Sequence, residues 1–298
     1  MILSVQNVVK TYGSYCAVNN VSLDVPKGSV FGMLGPNGAG KTSLIRMITT
    51  ITAPDEGAIY LDGEKLNPRS PEKIGYMPEE RGLYKKMKVG EHLLYLAQLK
   101  GLNNQQAVKA IDHWLTKFEI QDWWSKKIED LSKGMQQKIQ FIATILHRPT
   151  LLILDEPFTG LDPINTNLIK DEIRVLNESG ISIIFSTHRM EQVEEMCDHI
   201  VLINKGKNVL YGEVQAIKKQ YKQNLFRVEI QGETPAIPER FQLLSQEKNA
   251  FTFKLEDETQ SNDLLRAFLQ TGVRVHRFEE ILPTFNEIFI KRVAETEE

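Results

Sequence analysis

The chain has 298 residues, 41% hydrophobic and 25% charged, with a formal net charge of −3. That is ordinary for a globular protein with a large core, its length points to two domains, and it lacks the basic excess that nucleic-acid binding calls for, so no nucleic-acid partner is expected. The two cysteines, Cys16 and Cys197, stand far apart and make no metal-ligand pattern, so reduced thiols are expected. The opening Met1-Ile2-Leu3-Ser4-Val5-Gln6 lacks the basic region and apolar core of a signal peptide. No apolar stretch approaches the roughly 20 residues that cross a bilayer, so the chain is not itself expected to form a membrane channel.

In chain order, Leu3, Val5 and Val8-Val9, then Ala17-Val18, Val21, Leu23 and Val25, alternate with polar residues. That predicts strands, broken by the turn Tyr12-Gly13-Ser14 and ended by Pro26-Lys27-Gly28. Val30-Phe31-Gly32-Met33-Leu34 follows as a fully apolar run, expected to be a buried strand.

Immediately after it comes Gly35-Pro36-Asn37-Gly38-Ala39-Gly40-Lys41-Thr42, which fits G-x-x-x-x-G-K-[ST]. Ser43-Leu44-Ile45-Arg46-Met47-Ile48 then carries apolar residues at helical spacing. Strand, glycine loop and helix in that order make a phosphate cradle. The glycines permit a tight backbone bend, and the amides and the positive end of the helix dipole face the phosphate. Lys41 suits the terminal phosphates, and the Thr42 hydroxyl suits the magnesium ion that accompanies them. The loop from Gly35 to Ser43 is therefore the candidate nucleotide site.

Pro54-Asp55-Glu56-Gly57 is a turn before the short strand Ala58-Ile59-Tyr60-Leu61, and Ile74-Gly75-Tyr76-Met77 is another strand, stopped by Pro78. Residues from about 90 to 148 are mostly helical, with stripes at Leu93, Leu94, Leu96, Ala97, Leu99 and at Ala107, Ile111, Trp114, Leu115, Phe118. This block interrupts a strand-and-helix chain as an inserted helical subdomain. Leu151–Leu154 and Ile181–Phe185 restore buried parallel strands, and Ile200–Ile203 with Val209–Tyr211 make a hairpin. Near 222 the character changes. Phe226–Ile230 and Phe251–Leu255 alternate as half-buried strands around a Pro- and Glu-containing stretch, with a third strand expected near Phe241–Leu244. A helix through Leu264, Leu265, Phe268 and Leu269, a strand Val273–Phe278 and a helix from Pro283 complete a small α+β domain without a catalytic constellation. The expected domains are thus 1–222 and 223–298.

Two further segments carry chemistry. Leu151-Leu152-Ile153-Leu154 ends in Asp155-Glu156-Pro157, a strand that delivers two carboxylates beside a P-loop. Asp155 suits the metal, directly or through water, and Glu156 the general base that polarises the attacking water. Leu131-Ser132-Lys133-Gly134 opens a helix in which Ser132 and the amides around Gly134 suit a second anion cradle.

A P-loop, an inserted helical block, Leu-Ser-x-Gly and then an Asp-Glu strand resemble the ATP-binding subunit of an ABC transporter, over roughly residues 1–220. The resemblance implies an α/β fold of the P-loop NTPase type with an N-terminal antiparallel β part, and ATP with Mg²⁺ as ligands. It places Tyr12 as the aromatic that stacks on adenine, and Glu79 where a glutamine usually contacts the metal and the attacking water. Asp162, in Gly160-Leu161-Asp162, matches the loop that communicates across a dimer, and His188 the switch histidine near the γ-phosphate. Two departures stand out: Glu79 is a carboxylate in place of a carboxamide, and Lys133 and Met135 replace the commoner signature residues. The segment Ile74–Val89 and the tail liken the chain to exporter ATPases with an extra C-terminal domain, sodium-extruding exporters among them.

The partners so implied are a second cassette, in a homodimer, and one or more separate transmembrane permease subunits. The place implied is the cytoplasmic face of the membrane, peripherally. Leu83 and Tyr84, within Arg81–Met87, suit the grip on a short cytoplasmic helix of such a subunit. A GTPase is disfavoured because Asn204-Lys205-Gly206-Lys207 ends in lysine where guanine recognition needs aspartate. A soluble ATPase with a regulatory role is the alternative. No long coiled-coil or zinc insertion points to DNA repair, and a single P-loop does not suit a two-cassette ribosomal factor.

Overall fold

A computed structural model describes residues 1–80, 82–232 and 240–297, so Arg81 and most of the Pro- and Glu-containing stretch lie outside the described residues. The chain divides into two compact units, Met1–Glu213 and Val214–Glu298.

In the first unit, β1 (Leu3–Tyr12), β2 (Tyr15–Val25) and β3 (Val30–Leu34) precede α1 (Lys41–Ile48), β4 (Glu56–Leu61), β5 (Glu64–Lys65) and β6 (Ile74–Met77). Helices α2 (Val89–Leu99), α3 (Asn104–Lys117) and α4 (Lys133–Ile145) follow, then β7 (Leu151–Asp155), α5 (Pro163–Glu178), β8 (Ser182–Thr187) and α6 (Met190–Met196). The hairpin of β9 (His199–Asn204) and β10 (Lys207–Glu213) closes the unit.

Two sheets result. The alternating strands make an antiparallel sheet in the order β2-β1-β4-β5, and the continuous apolar runs make a six-stranded sheet in the order β10-β9-β3-β8-β7-β6. Within the latter β9, β3, β8, β7 and β6 run parallel, and only β10 is antiparallel. Strands β3, β7 and β8 are buried along their whole length, as strands with both faces covered must be. One core cluster joins the two sheets through α1: Leu44, Ile45, Met47 and Ile48 pack with Val5, Val21 and Ile59 of one sheet and Phe31, Ile153 and Val201 of the other. The P-loop helix is therefore clamped on two sides, which fixes the loop before it. The sequence expectation of an α/β P-loop fold with an antiparallel N-terminal part is met. Among the described residues no helix is long and apolar enough to cross a membrane.

The second unit opens with α7 (Val214–Gln220) and continues with β11 (Leu225–Gln231), β12 (Gln242–Glu247), β13 (Ala250–Lys254), α8 (Ser261–Gln270), β14 (Arg274–Ile281) and α9 (Phe285–Glu297). Its sheet order is β12-β13-β11-β14, all antiparallel. Leu264, Ala267 and Phe268 of α8 cluster with Phe226, Val228, Ile230, Phe251 and Phe253, a core of its own. Every residue of the edge strand β12 is exposed.

Candidate functional site

The site starts from the backbone of the P-loop. Gly35 (φ 148°) and Gly40 (φ 109°) approach neighbouring chain so closely that a β-carbon would stand 2.2 Å from the Ile203 carbonyl oxygen and 2.3 Å from that of Ala17. Only glycine serves at either position. Helix α1 then begins at Lys41 with no side-chain cap and no acidic residue in its first turn. Its leading amides have no side-chain acceptor at the cap, and the helix dipole favours an anion there.

Lys41 folds back along the loop. Its Nζ donates to the carbonyl oxygens of Gly35 at 2.6 Å and Pro36 at 3.1 Å. Burial lowers its pKa, while Asp155, Glu156 and Glu79 pull the other way. These groups meet because β3, β7 and β8 are parallel neighbours whose C-terminal ends deliver the P-loop, Asp155-Glu156 and Thr187-His188 to one edge. A cavity of about 300 Å³ is lined by Asn37, Gly38, Ala39, Gly40, Lys41, Thr42 and Ser43 together with Glu79, Asp155 and Glu156.

Asp155 is buried, and burial pushes its carboxyl above the usual range, with Glu79 and Glu156 adding like-charge repulsion. Glu156 sits in the left-handed region (φ 49°), a strained conformation for a residue with a side chain. Its carboxylate is held by the next strand: Oε1 accepts from the His188 backbone amide at 2.8 Å and lies 2.5 Å from His188 Nδ1, while Oε2 accepts from Thr187 Oγ1 at 3.2 Å. Glu156 and His188 are thus coupled directly. Gln140 Nε2 donates to the Pro78 carbonyl at 2.8 Å and anchors the segment that carries the exposed Glu79.

The oxygen donors Thr42, Asp155 and Glu79 suit a hard cation. Among the described residues, however, no group of three His, Cys, Asp or Glu is arranged to hold one alone. That combination fits Mg²⁺, which enters such sites with phosphate oxygens and few protein carboxylates.

Other sequence candidates lie elsewhere. Ser132 caps α4, accepting from the Met135 amide at 3.2 Å, and neither it nor Gly134 lines the P-loop cavity. An added β-carbon at Gly134 would meet the Gly160 carbonyl and Leu161, so the signature and the Gly160-Leu161-Asp162 loop are neighbours. Asp162 caps α5, accepting from the Asn165 amide at 2.9 Å, and that hydrogen bond lowers its pKa. Gln137 Nε2 donates to the Pro157 carbonyl at 2.9 Å, tying α4 to the Asp-Glu segment. Tyr12 is exposed, with Lys10 Nζ 5.7 Å from its ring, and does not line the cavity. Its cross-turn partner Tyr15 does, donating from its hydroxyl to the Gly38 carbonyl at 3.1 Å. Sequence reasoning missed Tyr15; the signal available was a second tyrosine three residues on, across a two-residue turn.

Comparison with known proteins agrees with this geometry. A family model described as ABC transporter matches residues 18–159, and one described as ATP-binding protein DrrA1-3-like, C-terminal domain, matches 212–293. The chain is 44% identical over 295 residues to the ABC transporter ATP-binding protein YhaQ of Bacillus subtilis (strain 168), covering 98% of this chain and 99% of that one. It is 35% identical over 215 residues to the Nod factor export ATP-binding protein I of Cupriavidus metallidurans (strain CH34), covering 71% of each. A solved ATP-binding subunit of an ABC transporter superposes with a TM-score of 0.70 at 29% identity, over 74% of this chain and 93% of that one. The chain belongs to the ATP-binding subunits of ABC transporters, and its activity is ATP hydrolysis.

Proposed function

We propose that two copies of this chain close on two ATP molecules and drive a separate membrane permease that exports its cargo. One observation carries the reading: the P-loop, Asp155 and Glu156 share a cavity, while Ser132 and Gly134 lie outside it. A second copy, turned head to tail, brings its signature over the γ-phosphate bound by the first. ATP then joins two cradles that are separate without it, and hydrolysis removes the tie.

Within each site Lys41 and the P-loop amides hold the phosphates. Thr42, Asp155 and Glu79 would hold Mg²⁺, which neutralises charge on the phosphates. Glu156 orients and deprotonates the attacking water, and His188 positions Glu156 and faces the γ-phosphate. Asp162 carries the state of one site to the other. Residues 1–222 form the motor and 223–298 an accessory domain.

An apolar groove of about 350 Å³ supports the membrane partner; Ile51, Ile74, Tyr76, Leu83, Leu96 and Leu99 are among its walls. Leu83 belongs to the segment after Glu79, so a helix seated there touches the chain that reports on the nucleotide. Tyr84 stands beside it, exposed, edge-on to the rings of His92 and Tyr95. Docked there, the chain would sit peripherally at the cytoplasmic face of the membrane. The export direction is supported by the relative whose name specifies export. Sodium-extruding exporters are the narrower likeness, which makes Na⁺ the first cargo to assay.

The test is co-purification of tagged full-length chain from detergent-solubilised membranes, with basal ATPase measured in parallel. A membrane subunit is expected to follow the wild type and to be lost from Leu83→Ser/Tyr84→Ser, which still binds ATP. ATPase activity with no membrane subunit would favour a soluble regulatory ATPase.

A further inference from the structure

The docking groove continues past its apolar wall. Lys100 and His147 line both this groove and a second cavity of about 500 Å³, whose other walls include Gln106, Lys109, Leu146 and Arg148. The first cavity is dominated by aliphatic and aromatic groups; the second contains three cations and no carboxylate.

Lys100 marks the junction. Its Nζ donates to the carbonyl oxygens of Pro71 at 2.6 Å and Ile74 at 3.0 Å, which leaves one of the three ammonium donors uncommitted. Burial lowers its pKa, against the pull of Glu72. His147 adds no charge. Burial, reinforced by Lys100, holds its pKa down at about 4, and its Nε2 lies 3.2 Å from the Ile74 carbonyl. Lys109 and Arg148 are exposed at the mouth, and among the described residues neither they nor Lys100 enter an ion pair. A half-buried ammonium whose hydrogen bonds go to carbonyl oxygens, with Glu72 acting on it outside ion-pair distance, is an incomplete site for a cation, because a carboxylate in direct contact offsets its desolvation far better.

We propose that the permease segment seated in the apolar groove carries a carboxylate beside its apolar face, and that Lys100, Lys109 and Arg148 receive it. This rests on the membrane-subunit reading above. Charge complementarity and the adjoining cavities favour a protein acid: one segment whose apolar side chains fill the first cavity reaches the second. Lys100 is half-buried where the two cavities meet, so its ligand must reach past an apolar wall, which suits a side chain of the seated segment. The exposed pair steers the segment in and sets its direction, and Lys100 holds it once the site is dry.

The test uses tagged full-length chain and the membrane subunit it captures. Reversing the exposed pair, Lys109→Glu/Arg148→Glu, is expected to reduce the captured subunit about tenfold or more at moderate salt, with ATP binding unchanged. Changing each Asp and Glu of the subunit's cytoplasmic segments to Lys in turn should then restore capture at one position. Equal capture by the variant, or loss that no single reversal restores, overturns the acidic anchor while the docking reading stands. Binding of the wild type to phosphatidylglycerol vesicles but not phosphatidylcholine vesicles, abolished in the variant without loss of the subunit, assigns the cations to lipid and also overturns it. No membrane subunit on the wild type fells both readings.

Discussion

Helix α1 begins behind Gly40 with no side chain on its leading amides, whereas α4 begins with the Ser132 hydroxyl already accepting from the Met135 amide at 3.2 Å. Both ends are read as phosphate cradles, yet only the first is bare. It is also walled by the lysine, the carboxylates and the threonine of its own chain. The second is a satisfied cap on an exposed turn, and it gives up a hydrogen bond worth about 1 kcal/mol to take a phosphate. One half has a bare helix end and charged walls of its own. In the proposed dimer the other half stays capped until a nucleotide on a second copy arrives.

The largest expected effect lies in the chemistry of the bare half. Glu156→Gln keeps an acceptor for the His188 amide but loses the base, so turnover should fall roughly 10²–10⁴-fold with ATP still bound. The variant should also accumulate as an ATP-bound dimer in size-exclusion chromatography. Near-normal turnover would sink the base assignment.

Affinity separates the two ends next. Lys41→Ala removes a charged donor to the phosphates, and single-chain ATP binding should weaken by roughly 10- to 100-fold in a filter assay. Gly134→Asp places a carboxylate at the start of α4. It should leave single-chain binding within about twofold while turnover collapses, because the repulsion acts only when a second copy closes. If Gly134→Asp weakens binding to one chain as Lys41→Ala does, the two ends are not divided between copies.

A smaller effect concerns the base. Tyr12→Ala should weaken ATP by about 1 kcal/mol, the scale of one aromatic stack. Tyr15→Phe, which loses only the hydroxyl that reaches the Gly38 carbonyl, should change it less. Isothermal titration of both variants decides which tyrosine meets adenine, and a larger loss at Tyr15 would move the assignment there.

The bare half was legible in the sequence because its parts are local. Strand, glycine loop and helix are contiguous, and a fully apolar run such as Leu151–Leu154 announces both its burial and the end at which its acids emerge. Parallel strand order then brings Asp155 and Lys41 together without further information. Contacts that depend on side-chain direction were not legible. Nothing in the residue pattern places Tyr15 over the P-loop, gives Glu156 its left-handed backbone, or lets its carboxylate hold the His188 ring. Those follow from turn geometry and from a neighbouring strand about 30 residues away in the chain. The pooling of Lys100, Lys109 and Arg148 was hidden for the same reason: the end of α2, the body of α3 and the segment after α4 supply one charge each, and only packing adds them together.

The smallest effect belongs to the second unit, and it bears on how the capped half finds its nucleotide. Phe226, Val228, Phe251, Phe253 and Phe268 give residues from about 223 onward a core of their own, so their removal need not unfold the cassette. The cassette likewise has its own core around α1. If the accessory domain holds two cassettes near each other, it raises the effective concentration of the exposed signature of one at the P-loop of the other, without adding a contact to ATP. Truncation after Gln220 should therefore leave ATP binding to one chain unchanged within about twofold. Dimerisation of the truncated chain with ATP and the Glu156→Gln change should instead become concentration-dependent over a range where the full chain is already paired. Sedimentation velocity across a dilution series measures both. Identical dimerisation with and without the tail would show that the two halves meet by ATP alone, and would leave the second unit as a docking site for another protein.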